Sequence, residues 1–172
     1  MRISPAKTLK SDPPRFTPGV AEQIALHHFG IEARADSLDS ERDQNFRLSS
    51  TSGPQYVLKI ANAAETPSAI EFENAVLKHL HKVAPDIPVP RIVPSTTNEN
   101  IVIHAFEGVN HLVRCLTWLP GTCLDEKKPR PRLHRQLGTE LARLGRALRG
   151  LFHPAAHKPL LWDMRNLEQL SP

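Results

Sequence analysis

The order of secondary structure that the sequence predicts limits the fold of this chain more than any other feature. Three consecutive β-rich segments come first, at 31–38, 45–50 and 55–60. One helix follows them, and two or three further strands are predicted after it, at 91–93, 101–106 and 111–118. This order predicts an α+β fold: a five-stranded antiparallel sheet with one helix packed on it.

Threonine-proline pairs mark two helix starts. Thr17 and Thr66 are predicted N-caps, because each precedes a proline that suits the first helical position. The first of these helices is expected to end at Gly30 and the second at about Val83. A third, amphipathic helix is predicted from leucines at helical spacing: Leu133, Leu137, Leu141, Leu144, Leu148 and Leu151.

Composition narrows the classes of partner. The chain has 172 residues, 40% of them hydrophobic, and contains no apolar run of about eighteen residues. We therefore expect a cytoplasmic protein with one substantial core and no membrane partner. The net charge of +4 allows an anionic ligand. The basic region between Lys127 and Arg149 lacks aromatic side chains, which favours a solvated helix face over nucleic-acid binding.

The two cysteines, Cys115 and Cys123, are too few for a disulfide framework, and we assign them no chemistry.

A lysine and a glutamate form the most informative pair. Glu73 is predicted to lie in the apolar face of the second helix, among Ile70 and Leu77, and a buried carboxylate needs a partner. The nearest candidate upstream is Lys59, which has apolar neighbours on both sides. The sequence thus predicts an ion pair at the interface of helix and sheet. In the alternative, Glu73 lies at the rim of that face and Lys59 extends into water.

The connection between the first two strands, Ser40 to Phe46, is polar and has no glycine. It is therefore neither a Walker loop nor the glycine-rich loop of protein kinases. Its amides, together with the side chains of Arg42, Gln44 and Asn45, are suited to cover phosphates, although a plain surface turn has the same composition.

These segments resemble the N-terminal lobe of the aminoglycoside phosphotransferase and hydroxylysine kinase family, which has a protein-kinase-like fold. The similarity covers residues 18–170. Its motifs are S-E-R-D-Q-N-F from Ser40, Y-V-L-K-I from Tyr56, F-E-N-A-V-L from Phe72, I-P-V-P-R-I from Ile87 and L-P-G from Leu119.

The resemblance implies an ATP-binding site in which Lys59 contacts the phosphates and Glu73 anchors the lysine. It further implies that Val57 packs on adenine, that Leu116 lines the back of the pocket, and that a hinge at Thr117, Trp118 and Leu119 bonds the base. The implied acceptor is a hydroxyl of an amino alcohol, aminoglycoside or hydroxylated amino acid. The implied domains are a flexible arm at 1–15, the N-terminal lobe at 16–119, a hinge and linker at 120–130, and the start of a truncated helical C-terminal lobe at 131–172.

The family's catalytic motif, H-x-D-x-x-x-x-N, does not occur in the sequence, since no histidine is followed two places later by aspartate. We therefore assign no catalytic residue and no metal ligand, and place Mg²⁺ only in the complete enzyme. The spacing of His153 and His157 suits zinc on a helix, but no third ligand is evident and Pro154 is more simply a helix start. The fragment is expected to be inactive.

A second hypothesis is a non-enzymatic interaction module. Its kinase-like lobe would be retained, and the leucine stripe would dock a partner or a second copy, through Leu133, Leu137, Leu141, Leu144 and Leu148.

Overall fold

The structure, a computed structural model, describes residues 13–122 and 130–157. In chain order its elements are α1 (Pro18–Phe29), β1 (Ala33–Leu38), β2 (Gln44–Ser50), β3 (Gln55–Ile60), α2 (Pro67–Val83), β4 (Ile92–Val93), β5 (Val102–Phe106), β6 (Val109–Thr117), α3 (Pro131–Ala147) and a short 3₁₀ helix (Pro154–His157).

One antiparallel sheet contains all six strands. Its order is β1-β2-β3-β6-β4, and β5 also pairs with β6. Strand β3 pairs with one edge of β6, while β5 and the two-residue β4 pair with different ends of β6: β5 with residues 109–113 and β4 with residues 115–116. The predicted α+β class and antiparallel sheet are confirmed, and the sheet gains a sixth, very short strand.

The helix starts follow from local chemistry, as predicted. The Thr17 side chain accepts a hydrogen bond from the Val20 amide, and Thr66 accepts one from Ala69. Gly30 ends α1 in the left-handed conformation, with φ of 65°, which glycine adopts without steric strain. The predicted ends at Gly30 and Val83 are likewise confirmed.

Alternation along the strands gives the sheet two different faces. One face packs against α1 and forms the main core, in which Phe46, Leu48, Leu58, Ile60 and Val113 are fully buried. Because successive side chains point to opposite faces, their neighbours Asn45, Arg47, Val57, Lys59 and Arg114 belong to the other face. That second face carries the candidate site.

Helix α2 differs from its prediction in which residues it buries. Ala69, Ile70, Asn74 and Leu80 are buried, whereas the side chain of Glu73 is 54% exposed. The apolar pattern placed Ile70 inward correctly but missed Asn74, because Asn74 is a polar residue. This exposure agrees with the alternative prediction, in which Glu73 lies at the rim of the apolar face.

Two further predictions, the N-terminal arm and the leucine-rich helix, can be compared with the structure. The proposed arm at 1–15 ends in packed structure, since Pro14 is buried; residues 1–12 lie outside the described part. Helix α3 forms where the leucine spacing predicts it and buries no residue completely. Within the described ranges, no helix has the length and apolar character needed to cross a membrane.

Candidate functional site

Strand register places the site residues in two parallel rows. In one row Leu38, Asn45, Lys59 and Arg114 lie side by side on β1, β2, β3 and β6. In the next row, two residues further along each strand, Asp36, Arg47, Val57, Leu116 and Ile92 lie side by side. The rows are about 7 Å apart. A cationic strip therefore runs beside a largely apolar strip on one face.

Lys59 donates a hydrogen bond from Nζ to Oδ1 of Asn45, at 3.1 Å. Burial lowers the pKa of Lys59, and the positive charge of Arg114 lowers it further. Asp43 and Glu73 act in the opposite direction, with Asp43 the stronger of the two. Lys59 is thus a partly desolvated ammonium, and its one hydrogen-bond partner in the described part of the chain is a neutral amide.

The predicted ion pair between Lys59 and Glu73 is wrong as a direct contact. Glu73 instead pairs through Oε2 with Nη2 of Arg114. Lys59 and Glu73 still line the same small cavity, so the structure brings them near each other without joining them. The physical reason is that Arg114 stands directly opposite Lys59 on β6 and reaches the helix first.

Arg114 was not found from the sequence. Its side chain is only 7% exposed, and its two terminal nitrogens hold consecutive residues of α2, with Nη1 donating to Oδ1 of Asn74 at 2.9 Å. Asn74 in turn donates to the carbonyl of Asn100 at 3.4 Å. A single cation inside the apolar run of β6 was the available signal, because burying a charge requires partners.

The cavity between sheet and helix is small. It measures about 10 Å³, the space of one water molecule, and is lined by Asp43, Lys59, Ala61, Glu65, Ile70, Glu73, Leu112 and Arg114. A phosphate group is too large for this volume. An anion that reaches Lys59 must therefore approach from outside this cavity.

The β1–β2 connection places its three predicted residues differently. Asn45 faces Lys59 and also donates from Nδ2 to Oγ of Ser40, at 3.0 Å. Gln44 lies on the opposite face, where its side-chain amide makes two hydrogen bonds with the backbone of Phe16. The structure therefore does not bring Gln44 together with Lys59.

Arg42 has two buried nitrogens, Nε and Nη2, with no hydrogen-bond partner in the described part of the chain. Buried donors of this kind are uncommon in folded proteins, and an anion would satisfy them.

The apolar row contains the residues predicted for the base. Val57 and Leu116 are cross-strand neighbours, and Leu116 is buried. The amides of Thr117 and Trp118 donate to the carbonyls of Arg91 and Gln55, so two predicted hinge donors are used within the fold. Leu119 is exposed.

Trp118 also carries the guanidinium of Arg47 over its ring, 4.6 Å from the ring centre, which is cation–π geometry.

Neither part of the described chain, 13–122 or 130–157, contains three or more His, Cys, Asp or Glu side chains grouped to hold a metal ion. His153 accepts a hydrogen bond from the Ala155 amide and packs against Phe72, and the 3₁₀ helix begins at Pro154 as expected. Cys115 is buried on the core face, and Cys123 lies outside the described residues.

Comparison with curated proteins finds relatives that are kinases of a small molecule. The chain is 31% identical to hydroxylysine kinase of Mus musculus, over 91% of this chain and 46% of that protein. It is 28% identical to hydroxylysine kinase of Danio rerio, over 94% of this chain and 48% of that protein. The chain thus spans about half the length of these relatives.

Solved structures show the same fold. A microcompartment-associated aminopropanol kinase superposes with a TM-score of 0.67 at 22% identity, over 86% of this chain and 46% of that one. An amicoumacin kinase, solved in complex with AMP-PNP, Ca²⁺ and Ami, superposes with a TM-score of 0.61 at 20% identity, over 79% of this chain and 41% of that one.

A family assignment follows from the sequence match as well as from the fold. The sequence model described as the phosphotransferase enzyme family, APH, matches residues 33–171, which is most of the chain. The resemblance inferred from the motifs is confirmed: this chain belongs to the APH phosphotransferase enzyme family.

Proposed function

We propose that this chain forms the nucleotide-binding part of a small-molecule kinase, with ATP as the phosphoryl donor. The observation that carries the proposal is the pair of rows on the open face of the sheet. An ammonium and a polar loop lie beside a row that contains Val57, Leu116 and Ile92, and a nucleotide requires cationic and apolar groups side by side for its phosphates and base.

The residues present fit a nucleotide in three respects. Lys59 offers a partly buried cation that is held by a hydrogen bond to Asn45. Arg42 lies in the loop that precedes β2, and two of its buried nitrogens lack a hydrogen-bond partner within the described residues, which makes it the second candidate for a phosphate contact. Val57 and Leu116 offer a flat apolar surface to a purine ring.

The proposed hinge can bind the base only through backbone groups that are not already hydrogen-bonded within the fold. The amides of Thr117 and Trp118 already donate hydrogen bonds within the fold. We therefore expect the base to hydrogen-bond to carbonyl oxygens of this segment and to contact Leu119. AMP-PNP in the amicoumacin kinase structure supports nucleotide use in this fold. Mg²⁺ is expected to accompany the nucleotide in the whole protein, where it would neutralise charge on the phosphates.

Titration of Mg²⁺–AMP-PNP into the 172-residue chain by calorimetry tests the proposal. Lys59→Met removes the ammonium and keeps an apolar side chain of similar length. Loss of one charge-assisted hydrogen bond is worth about 1.5–3 kcal/mol, so we expect the dissociation constant to rise about 10-fold to 150-fold.

Lys82→Met is the matched control, because Lys82 is an exposed residue at the end of α2 and its loss changes the net charge equally. Equal affinities for the two variants would refute a phosphate-binding role for Lys59. Absence of binding to the unsubstituted chain would refute nucleotide binding by this part of the protein.

The acceptor is proposed for the whole protein rather than for this chain. The relatives' names support a hydroxyl on a small amine-bearing molecule, such as an amino alcohol, aminoglycoside or hydroxylated amino acid. Because the sequence contains no H-x-D-x-x-x-x-N motif, we expect no phosphoryl transfer by the 172 residues alone. A coupled assay for ADP release, with Lys59→Met as the blank, measures this.

A non-enzymatic interaction module is the second candidate function. Leu137 and Leu141 on α3 are 43% and 59% exposed, which favours a partner on that face. Sedimentation of the chain and of a Leu141→Glu variant tests it: a dimer or larger species that the substitution disperses supports the module. A clean monomer in both would exclude self-association.

A further inference from the structure

Four of the nine histidines gather at one corner of the fold. His27 and His28 lie in the last turn of α1, with their ring centres 4.7 Å apart. His104 on β5 is the cross-strand partner of His111 on β6, and its ring centre lies 5.5 Å from that of His28. Because side chains alternate along β5, His104 shares the face of Val102, which is buried in the main core. The cluster therefore lies on the opposite face of the sheet from the proposed nucleotide site.

His28 and His104 bring two ring nitrogens together from elements that are far apart in the sequence. Nε2 of His28 lies 3.3 Å from Nδ1 of His104. Two nitrogens that each bind a tetrahedral zinc ion at about 2.0–2.1 Å lie about 3.3–3.4 Å apart, whereas neighbouring nitrogens of an octahedral site lie about 2.9 Å apart. The spacing therefore suits a tetrahedral ion, which would replace the hydrogen bond between the rings.

The backbone around both residues is already fixed. The His28 carbonyl accepts hydrogen bonds from the amide and the hydroxyl of Thr96, at 2.9 and 3.3 Å. His104 lies in the middle of β5, paired with β6, and Phe16 packs against its ring. Ligands that are held in place before the metal arrives lose little conformational entropy when it binds.

Both rings are in the form that binds metals at neutral pH. Burial lowers the pKa of His28 and of His104, and the charges of neighbouring histidines lower it further. Each neutral ring carries one unprotonated nitrogen. Moving the proton of the donor ring to its other nitrogen turns both lone pairs toward the ion, with no net release of protons. Both residues are half-buried, so solvent reaches them.

We propose that His28 and His104 form a binding site for a divalent transition-metal ion, with zinc as the best fit, that joins the end of α1 to β5. Within residues 13–122 and 130–157 no group of three such ligands exists, so water molecules are expected in the remaining positions. A site with two protein ligands binds more weakly than a closed structural site. Its effect is on the stability of this lobe, and it does not depend on nucleotide binding.

Calorimetric titration of zinc chloride into the 172-residue chain at neutral pH tests the proposal. Either His28→Gln or His104→Gln removes one of the two protein ligands, so we expect each to raise the dissociation constant at least about tenfold. The double variant His153→Gln/His157→Gln is the matched control, because that pair also has a spacing suited to zinc and lies at the 3₁₀ helix. Its affinity should equal that of the unsubstituted chain.

NMR spectra of the unsubstituted chain keep the test decisive if a variant does not fold. Zinc should shift the ring resonances of His28 and His104 and leave those of His153 and His157 in place. Zinc in excess should also raise Tm, because it binds the folded arrangement of α1 and β5. The rise should be absent in His28→Gln and present in the control.

Four results would overturn the inference. They are no zinc binding by the unsubstituted chain, ring shifts confined to other histidines, loss of binding in the control alone, and a loss of less than about threefold in both His28→Gln and His104→Gln. The last result would indicate an adventitious ion only.

Discussion

Replacing Leu58 with alanine tests the strand alternation on which the site depends. Leu58 is fully buried on the core face, between Val57 and Lys59 on the other face. The change removes three carbons, worth about 2.4 kcal/mol at 0.8 kcal/mol each, and the residual cavity raises the cost to about 2.7–5 kcal/mol. For a chain of this size we expect Tm to fall by about 5–20 °C in calorimetry.

Two matched variants make the test specific. Ile103→Ala also removes three carbons, from a side chain that is 63% exposed on β5, and should change stability by no more than about 0.5 kcal/mol. Val57→Ala lies next to Leu58 and should lower Tm less, because Val57 is half-buried, while weakening the binding of Mg²⁺–AMP-PNP.

The opposite ranking would refute the reasoning. If Val57→Ala were the more destabilising of the two adjacent changes, β3 would present its odd-numbered residues to α1. A shift of one residue moves every side chain to the other face, so Lys59 would then point into the core and the two rows would not exist.

Three further predictions concern titration. Nucleotide affinity should fall as pH rises, at a lower pH than for an ordinary lysine, because burial lowers the pKa of Lys59. In a Lys59→Arg variant the affinity should stay constant over the same pH range. A constant affinity in the unsubstituted chain would contradict this prediction. Stability should fall as pH drops below the usual histidine range. Burial and then neighbouring histidine charge lower the pKa of His28 and His104, so the unfolded chain takes up protons first; Tm measured against pH checks this, and an unchanged slope in a His28→Gln/His104→Gln variant would contradict it. Burial raises the pKa of the Cys115 thiol to about 12, so in a Cys123→Ser variant we expect a thiol reagent to react only after unfolding; rapid labelling of the folded protein would contradict this.

Local rules were enough to predict most of the fold. Helix starts at Thr17 and Thr66 depend on a side-chain oxygen and a proline within three residues, and the sequence displays both. The strands follow from short apolar alternation and turn residues, which are equally local. The antiparallel order then follows because consecutive strands have short connections.

The partner of Glu73 could not be predicted by the same rules. Arg114 is 41 residues away from Glu73 along the chain, and its position beside Lys59 depends on the register of β3 with β6. Helical spacing from Ile70 and Leu77 placed Glu73 on their face, and it therefore favoured Glu73 over Asn74. Asn74 and Arg114 lie inward because they are hydrogen-bonded to each other, and the spacing of apolar residues carries no information about such bonds.

The loop before β2, which we propose as part of a phosphate site, is shaped without glycine. Asp43 accepts from the Asn62 amide, the Asn62 side chain donates to the carbonyl of Arg42, and Asn45 bonds Ser40 across the loop. Side chains therefore fix the loop, and Asn45 at its end contacts Lys59. A loop already held in place loses little conformational entropy when a ligand binds, which lowers the penalty for ordering the site. The same bonds explain why the polar residues are dense there, because they shape the loop without any bound ligand.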